Sequence, residues 1–192
     1  MDEALKIAKE KFKALHFESI SARCGVNLLN DKIKIKYLTR WYLVSPDKII
    51  YFKGEDEVSV REKIIILHYL NSGKDKPLSG KLIDFREIPS GNMYYSSFEA
   101  RIYQPFLAFF GKKPSLFIKA SKALEGERID LGDIAFKFMV LPKIPVNFIL
   151  HKGDEEFPPA CKVLFDASIR DYLPTEDIAI ICEDTVRELT QR

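Results

Sequence analysis

The sequence predicts an α+β fold with a mainly antiparallel sheet, and three patterns support this class. Apolar and polar residues alternate as in strands from Lys32 to Phe52 and again from Ile134 to Leu150. Apolar residues at helical spacing occur at both ends of the chain and in its middle. Strands and helices come in blocks, without the regular βαβ alternation of a doubly wound fold. The 192 residues contain no linker rich in Ser, Gly or Pro, so we predict a single domain, residues 1–192.

The first part of the chain is predicted to form an amphipathic helix, a meander of three strands and a buried helix. Residues 2–16 place apolar side chains at helical spacing between lysines and glutamates. The turn-forming residues 45–47 lie within the strand pattern that follows. Ser59 and Glu62 have the spacing of a capping box, which predicts a helix that ends near Gly73.

The second part is predicted to contain aromatic-rich central helices, an antiparallel strand pair and a C-terminal helix. Aromatic residues recur from Met93 to Phe110, and Pro105 is predicted to kink or split that helix. The other predicted elements are a strand at 81–85, a helix at 114–123, a loop at 126–132, strands at 134–141 and 146–150 around a hairpin turn at 142–145, and a helix at 175–190.

Composition excludes several classes of protein. The formal net charge is only +2, whereas nucleic-acid-binding proteins are usually strongly basic, so nucleic acid is disfavoured as a partner. Cys24, Cys161 and Cys182 are odd in number and widely spaced, which disfavours a disulfide framework and a zinc ribbon. The N-terminus is unlike a signal peptide, and no apolar run approaches the roughly 20 residues that span a bilayer. We therefore expect a soluble cytoplasmic protein that does not enter a membrane.

An aromatic band with two arginines is the first candidate site. We predict that Arg86, Tyr94, Tyr95, Phe98 and Arg101 line a cleft for a flat ligand with anionic groups, because aromatic faces stack on rings and arginine matches carboxylates. The alternative is that these aromatic side chains belong to a core helix packed against the sheet.

An acidic loop is the second candidate site. His151, Asp154, Glu155, Glu156 and Asp166 are predicted as metal ligands or as an acid–base pair, since converging carboxylates bind hard cations and raise one another's pKa. The alternative is a solvated turn beside Gly153, in which Asp166 caps the following turn.

The common catalytic motifs are absent from the sequence. It contains no G-x-G-x-x-G, G-x-x-x-x-G-K-[ST], G-x-S-x-G or H-E-x-x-H, so the dinucleotide-binding, P-loop, serine-hydrolase and zincin classes lose their simplest support. His16, His68 and His151 are isolated from one another and from the cysteines. The sequence thus identifies no cofactor and leaves open whether the protein is an enzyme.

Several blocks of the sequence together resemble one known family. The blocks are 65–70, 77–89, 153–158 and 164–166, and they occur in the expected order along most of the chain. They resemble the uncharacterised family named domain of unknown function 3786. The resemblance implies a place in anaerobic bacteria and archaea, where some members carry an iron–sulfur module similar to part of corrinoid proteins. This chain lacks that cysteine-rich module, so the resemblance implies no cluster here.

Three functions follow as hypotheses. The first is a binding module for a planar cofactor, such as a corrinoid, haem or flavin, or for a protein partner, in anaerobic redox or one-carbon metabolism. The second is an accessory or assembly protein without a small-molecule site. The third is a metal-dependent enzyme that uses the acidic loop 151–166.

Overall fold

A computed structural model describes residues 2–54 and 56–192, and it confirms the α+β class. Helices accompany two antiparallel sheets, one of four strands and one of five. The chain forms two compact units. The first contains the described residues up to Leu78 together with 141–143 and 171–173, and the second contains 79–140, 144–170 and 174–192. The prediction of a single domain stays a prediction.

The first unit contains the four-stranded sheet and three helices. The helices are α1 (Asp2–Lys13), α2 (Phe17–Cys24) and α3 (Val60–Ser72), and α1 packs along α3. The strands are β1 (Asn27–Leu29), β2 (Lys32–Tyr37), β3 (Arg40–Val44) and β4 (Ile49–Tyr51), and they lie side by side in chain order. The predicted meander is therefore confirmed, with β1 as an additional edge strand.

Alternation of side chains gives this sheet one buried and one accessible face. Ile33 and Ile35 are completely buried, whereas Lys32 is exposed and Lys34 is half-buried. In the register of the ladder Ile35 faces Tyr42, while Lys34 faces Leu43. Because successive side chains of a strand point to opposite faces, the lysines of β2 share the accessible face with every second residue of β3.

The helix α3 begins at the predicted capping box. The Ser59 hydroxyl accepts a hydrogen bond from the Glu62 backbone N–H, and the Glu62 carboxylate accepts one from the Ser59 backbone N–H. This reciprocal arrangement satisfies two backbone donors that a helix start leaves without partners. The prediction of both the helix and its start is confirmed.

The second unit contains the five-stranded sheet, with strand order β5-β9-β8-β7-β6. Its strands are β5 (Leu82–Asp84), β6 (Glu127–Ile129), β7 (Ile134–Leu141), β8 (Ile144–His151) and β9 (Ala160–Asp166). Its helices are α4 (Gly91–Phe98), α5 (Gln104–Phe110), α6 (Pro114–Ala123) and α7 (Thr175–Thr190). A hydrophobic core of phenylalanine rings includes Phe106, Phe110, Phe117, Phe136 and Phe148, in contact at centroid distances of 4.9–5.7 Å.

The central α-helix is interrupted just before Pro105, where the sequence predicted a kink or a split. Residues Glu99–Tyr103 form a π-helical segment between α4 and α5, in which the Gln104 N–H bonds to the Glu99 carbonyl. Proline has no N–H to donate to the carbonyl four residues earlier, and one widened turn accommodates this loss. The aromatic band is thus divided into α4 and α5 by this π-helical segment, which agrees with the predicted split.

The structure also corrects several predicted boundaries. The helix α2 and the strands β1 and β9 were not predicted, and β6 lies where a loop was expected at 126–132. The hairpin turn is shorter than the predicted 142–145, because β8 already begins at Ile144. Among the described residues, no helix combines the length and the apolar character needed to cross a bilayer.

Candidate functional site

The predicted aromatic site of the second unit is partly core. Phe98 is 1% exposed, its ring stacks on Phe85 at a centroid distance of 4.0 Å, and Tyr103 meets it edge-on at 5.4 Å. Tyr103 is buried as well, and its hydroxyl accepts a hydrogen bond from the Val163 N–H of β9. Burial raises the pKa of Tyr103, so its phenol stays neutral at physiological pH. Phe98 therefore packs the core, as the alternative interpretation of the band expected.

Arg86, Tyr94 and Tyr95 lie at the surface. The Arg86 guanidinium lies 4.0 Å from the Tyr95 ring centroid and donates a hydrogen bond of 3.2 Å to the Tyr95 hydroxyl. Tyr94 is 53% exposed, and its neighbour Met93 is 81% exposed. Arginine and tyrosine thus stack on one another, and Tyr94 faces solvent.

Arg101 is held by two carboxylates of α7. Its guanidinium lies 2.6 Å from Glu183 Oε2 and 3.1 Å from Glu176 Oε1. These contacts link the π-helical segment to α7 in the same unit. Both ion pairs use the positive charge of Arg101 that the sequence analysis assigned to a ligand. Arg101 and the Arg86–Tyr95 pair therefore have different partners.

The acidic loop closes on itself around Asp154. Its Oδ1 accepts hydrogen bonds from the backbone N–H groups of Phe157 and Glu156 at 2.7 and 2.9 Å, and these bonds lower its pKa. Glu155 and Glu156 are exposed, and so is His151 at the end of β8. Within residues 2–54 and 56–192 no group of three or more His, Cys, Asp or Glu side chains is arranged to hold a metal ion.

Asp166 lies at the other end of β9 from this loop. The strand runs from Ala160 to Asp166, which at about 3.3 Å per residue separates the two places by roughly 20 Å. Its Oδ1 accepts from the backbone N–H and the hydroxyl of both Ser79 and Ser168, and its Oδ2 accepts from the Gly80 N–H. Although burial by itself raises the pKa of Asp166, hydrogen bonds from Ser168 and Ser79 lower it to about 2. The carboxylate anchors the loop at Ser79 to the end of β9.

A groove that the sequence did not reveal lies in the first unit, at the end of the four-stranded sheet where β3 begins and β4 ends. Its volume is about 620 Å³, and small-molecule sites usually measure roughly 300–1,000 Å³. The basic and aromatic residues that line it are Lys34, Arg40, Trp41, Tyr51, Phe52 and Lys53; Thr39, Gly54 and the acidic residue Asp56 complete the lining. Cations and aromatic rings therefore meet in one concave surface.

Two aromatic side chains form the floor of this groove. Tyr42 pairs with Tyr51 in the ladder of β3 and β4. Phe52 follows directly after β4, and its N–H bonds to the Trp41 carbonyl at 2.7 Å, so Trp41 and Phe52 lie side by side. The Lys34 ammonium lies 4.0 Å from the Phe52 centroid and 4.7 Å from the Trp41 centroid. Trp41 remains 41% exposed.

The cations of the groove differ in how they are engaged. The guanidinium Nη1 of Arg40 lies 3.5 Å from the Glu62 carboxylate and donates to the Tyr51 hydroxyl at 3.4 Å. Lys34 and Lys53, by contrast, form no ion pair with any acidic side chain in the described part of the chain. Their positive charges are available to an anion.

A carboxylate behind the groove fixes its wall. Glu62 accepts hydrogen bonds from the hydroxyls of Tyr42, Tyr51 and Ser59 in addition to its backbone bond at the start of α3. Burial by itself raises the pKa of Glu62, but the bonds from Ser59 and Tyr42 outweigh it and leave this pKa lowered. Glu62 thus stays ionised and holds Tyr51 and Arg40 in place. The alternation Lys32-Ile33-Lys34-Ile35-Lys36 before Arg40-Trp41 was the signal that could have revealed this face.

None of the three thiols has a depressed pKa. Burial raises the pKa of Cys24 to about 11 and raises those of Cys161 and Cys182 as well. A raised pKa keeps a thiol protonated at neutral pH, and the protonated form is a poor nucleophile. The cysteines therefore offer no activated nucleophile.

Comparison with known proteins identifies a family without assigning an activity. Neither the curated proteins nor the solved structures gave a significant match. The profile of the family described as a domain of unknown function, DUF3786, matches residues 16–188, which is nearly the whole chain and includes the groove, the loop at Ser79 and the acidic loop. The chain belongs to the DUF3786 family.

Proposed function

We propose that this protein is a binding module and that the groove of the first unit takes a planar small molecule that carries negative charge. The observation that supports this most directly is the Trp41–Phe52 floor beneath Lys34, whose ammonium contacts both rings and has no carboxylate partner among the described residues. An aromatic floor with available cations is complementary to a flat anionic ligand.

The stacking surface and the charges act on different parts of such a ligand. Trp41 and Phe52 offer adjacent ring faces, and burial of a flat ring against them removes apolar surface from water. Lys34 and Lys53 attract its anionic groups. The ion pair between Arg40 and Glu62 keeps the wall in shape before the ligand arrives, which reduces the ordering cost of binding.

The proposed cofactor class also draws on the family context. The resemblance suggests anaerobic redox or one-carbon metabolism, and the planar cofactors of such metabolism include corrinoids, haem and flavins. We propose that the groove serves one of these. Unlike the surface at Tyr94, it combines concavity, aromatic rings and available positive charge.

Tryptophan fluorescence tests the proposal at the site itself. Trp41 is the single tryptophan of the chain and lies on the floor of the groove, so a ligand that stacks there quenches or shifts its emission. The purified protein is titrated with haem, a corrinoid and flavin mononucleotide, and saturable quenching by at least one of them is expected. Phe52→Ala removes half of the floor and is expected to weaken binding about tenfold, or about 1.4 kcal/mol. Tyr94→Ala, on an exposed side chain of the second unit, is the control and is expected to bind normally.

Two results would overturn the proposal. One is the absence of saturable quenching with every planar anion. The other is preferential binding of single-stranded oligonucleotides with an affinity that grows with their length, because this would identify the basic aromatic face as a polyanion surface.

The exposed end of α4 supports a second candidate, the binding of a protein partner. Met93 and Tyr94 are both more than half exposed beside the Arg86–Tyr95 pair, and exposed large apolar side chains mark interaction surfaces when they cluster. Light scattering over a concentration series tests this for self-association. A monomer at all concentrations, unchanged by Met93→Ser, would remove self-association from consideration.

A further inference from the structure

We infer that the ligand of the groove carries a phosphate ester on its planar ring system, as mononucleotide-type cofactors do, and this inference rests on the function proposed above. It concerns which anionic group the groove recognises. Carboxylates pair best with the planar fork of a guanidinium, whereas phosphates pair well with the point charge of an ammonium. In this groove the ammonium groups of the lysines are more available than the guanidinium of Arg40.

The arginine of the groove is already engaged. Bidentate recognition of a carboxylate needs the planar fork of a guanidinium. The Arg40 fork reaches Glu62 Oε1 at 3.5 Å and the Tyr51 hydroxyl at 3.4 Å, so this protein's own carboxylate competes for it. A ligand carboxylate that takes the Arg40 fork would have to displace Glu62, which three hydroxyl groups hold in position.

The available cations are lysines. Lys34 and Lys53 line the groove and form no ion pair with the acidic side chains of the described residues. An ammonium acts as a compact point charge on a flexible stem and is a common partner of phosphate, which accepts hydrogen bonds from many directions. A phosphate carries more charge than one carboxylate and gains more from two such neighbours.

Lys34 also connects stacking with charge recognition. Its ammonium lies over the faces of Phe52 and Trp41, where a stacked ring would have to lie. A planar ligand therefore displaces this ammonium from the rings and gives up its cation–π contacts. A phosphate on the ligand provides the displaced ammonium with a stronger partner, whereas an uncharged ring provides none.

Matched ligand pairs test the inference. Riboflavin and flavin mononucleotide share one ring system and differ by the phosphate, and adenosine and adenosine monophosphate form a second pair. Dissociation constants are measured in low salt from the quenching of Trp41 fluorescence, and the phosphorylated member of each pair is expected to bind at least about tenfold more tightly. The advantage should shrink as sodium chloride rises, because exposed charges are screened. Millimolar inorganic phosphate should compete with the phosphorylated member.

Variants at Lys34 assign the effect. Lys34→Ala and Lys34→Gln are both expected to reduce the phosphate advantage to about threefold or less, and the glutamine keeps most of the stem length if alanine perturbs the sheet. Lys32→Ala is the control, because Lys32 is an exposed lysine of the same strand and face but does not line the groove. Circular dichroism confirms that each variant is folded.

The outcomes separate this inference from the function on which it rests. Equal affinity for riboflavin and flavin mononucleotide, or quenching by haem without quenching by either phosphorylated ligand, overturns the phosphate inference and leaves the planar binding site. No quenching by any ligand overturns both. A phosphate advantage that survives Lys34→Gln unchanged also overturns the inference, because the charge would then be recognised elsewhere.

Discussion

Replacing Asp166 by asparagine is expected to destabilise the second unit by about 2–4 kcal/mol at neutral pH. The wild-type carboxylate is 4% exposed and accepts five hydrogen bonds from Ser79, Gly80 and Ser168. Asparagine keeps one acceptor oxygen but turns an NH₂ group toward donors on its other side. A donor then faces either the Gly80 N–H or the serine donors, and a buried polar group loses its partner.

The magnitude follows from the pKa of the carboxyl group. Its lowering from 3.8 to about 2 corresponds to about 2 kcal/mol of stability at neutral pH, because a tenfold change in proton affinity is worth about 1.4 kcal/mol. Since the pKa is lower in the folded state, this stabilisation is complete well above pH 4 and is lost as the pH falls through about 2. The unpartnered donor in the variant adds to the loss.

Urea denaturation followed by circular dichroism at several pH values between 7 and 2.5 measures this contribution. The difference in free energy of unfolding between the wild type and Asp166→Asn is expected to be largest at pH 7 and to be about 1 kcal/mol smaller near pH 3, because only the part due to ionisation depends on pH. Asp130→Asn, on an exposed aspartate of the same unit, serves as the control and is expected to leave stability unchanged. A difference that stays constant across this range, or one below about 1 kcal/mol at pH 7, would refute the reasoning.

Three further substitutions test the core at Phe98, the close contact of Gly91 with the preceding turn, and the capping box of α3 at Glu62. Phe98→Ala should lower the free energy of unfolding by about 3–5 kcal/mol in chemical denaturation, because it opens a cavity in the core. Tyr94→Ala, at the surface, should lower it by less than about 0.5 kcal/mol, and equal effects would contradict the core position of Phe98. Gly91→Ala should lower the free energy of unfolding by at least about 2 kcal/mol, because its Cβ would clash with the Phe85 backbone carbonyl of the preceding turn. Asn92→Ala, at an exposed position, serves as the control. A Gly91→Ala variant of unchanged stability and unchanged spectrum would show that the turn can move to make room for the methyl group. Glu62→Gln should cost about 1–2 kcal/mol through weakened bonds to the capping box and two tyrosines, and an unchanged urea midpoint would argue against that network.

Much of the fold was predictable because its local signals agree with the final structure. The capping box at Ser59, the helix from Pro114 to Ala123 and the helix α7 have clear starts and regular apolar spacing, and all three are confirmed. The helix α2 was missed, since its eight residues contain two serines and its start has no side-chain cap. Three residues are too few to show a period, and the strands β1 and β6 were missed. The strand β5 is equally short, but the turn-forming residues 77–80 before it marked its start.

The candidate sites were harder to predict because they depend on contacts between distant segments. The aromatic band looked uniform in sequence, yet Phe98 lies in the core, Tyr94 at the surface and Arg101 between two glutamates of α7. The acidic loop and Asp166 are close along the chain, but an extended strand separates them. The metal and ligand roles of these residues stay predictions, and the geometry favours a structural role for Asp166.

The sequence by itself determined the fold class, the family and most helix and strand positions, because periodicity, capping residues and turn residues act over a few neighbours. It also contained the alternation of lysine and isoleucine in β2, which separates a buried face from an accessible one. Only the tertiary structure decided that Trp41 and Phe52 lie side by side under Lys34, while Glu62 from α3 holds Arg40 at the wall. Strand register and helix packing bring these residues together, and neither is encoded in the spacing of any single segment.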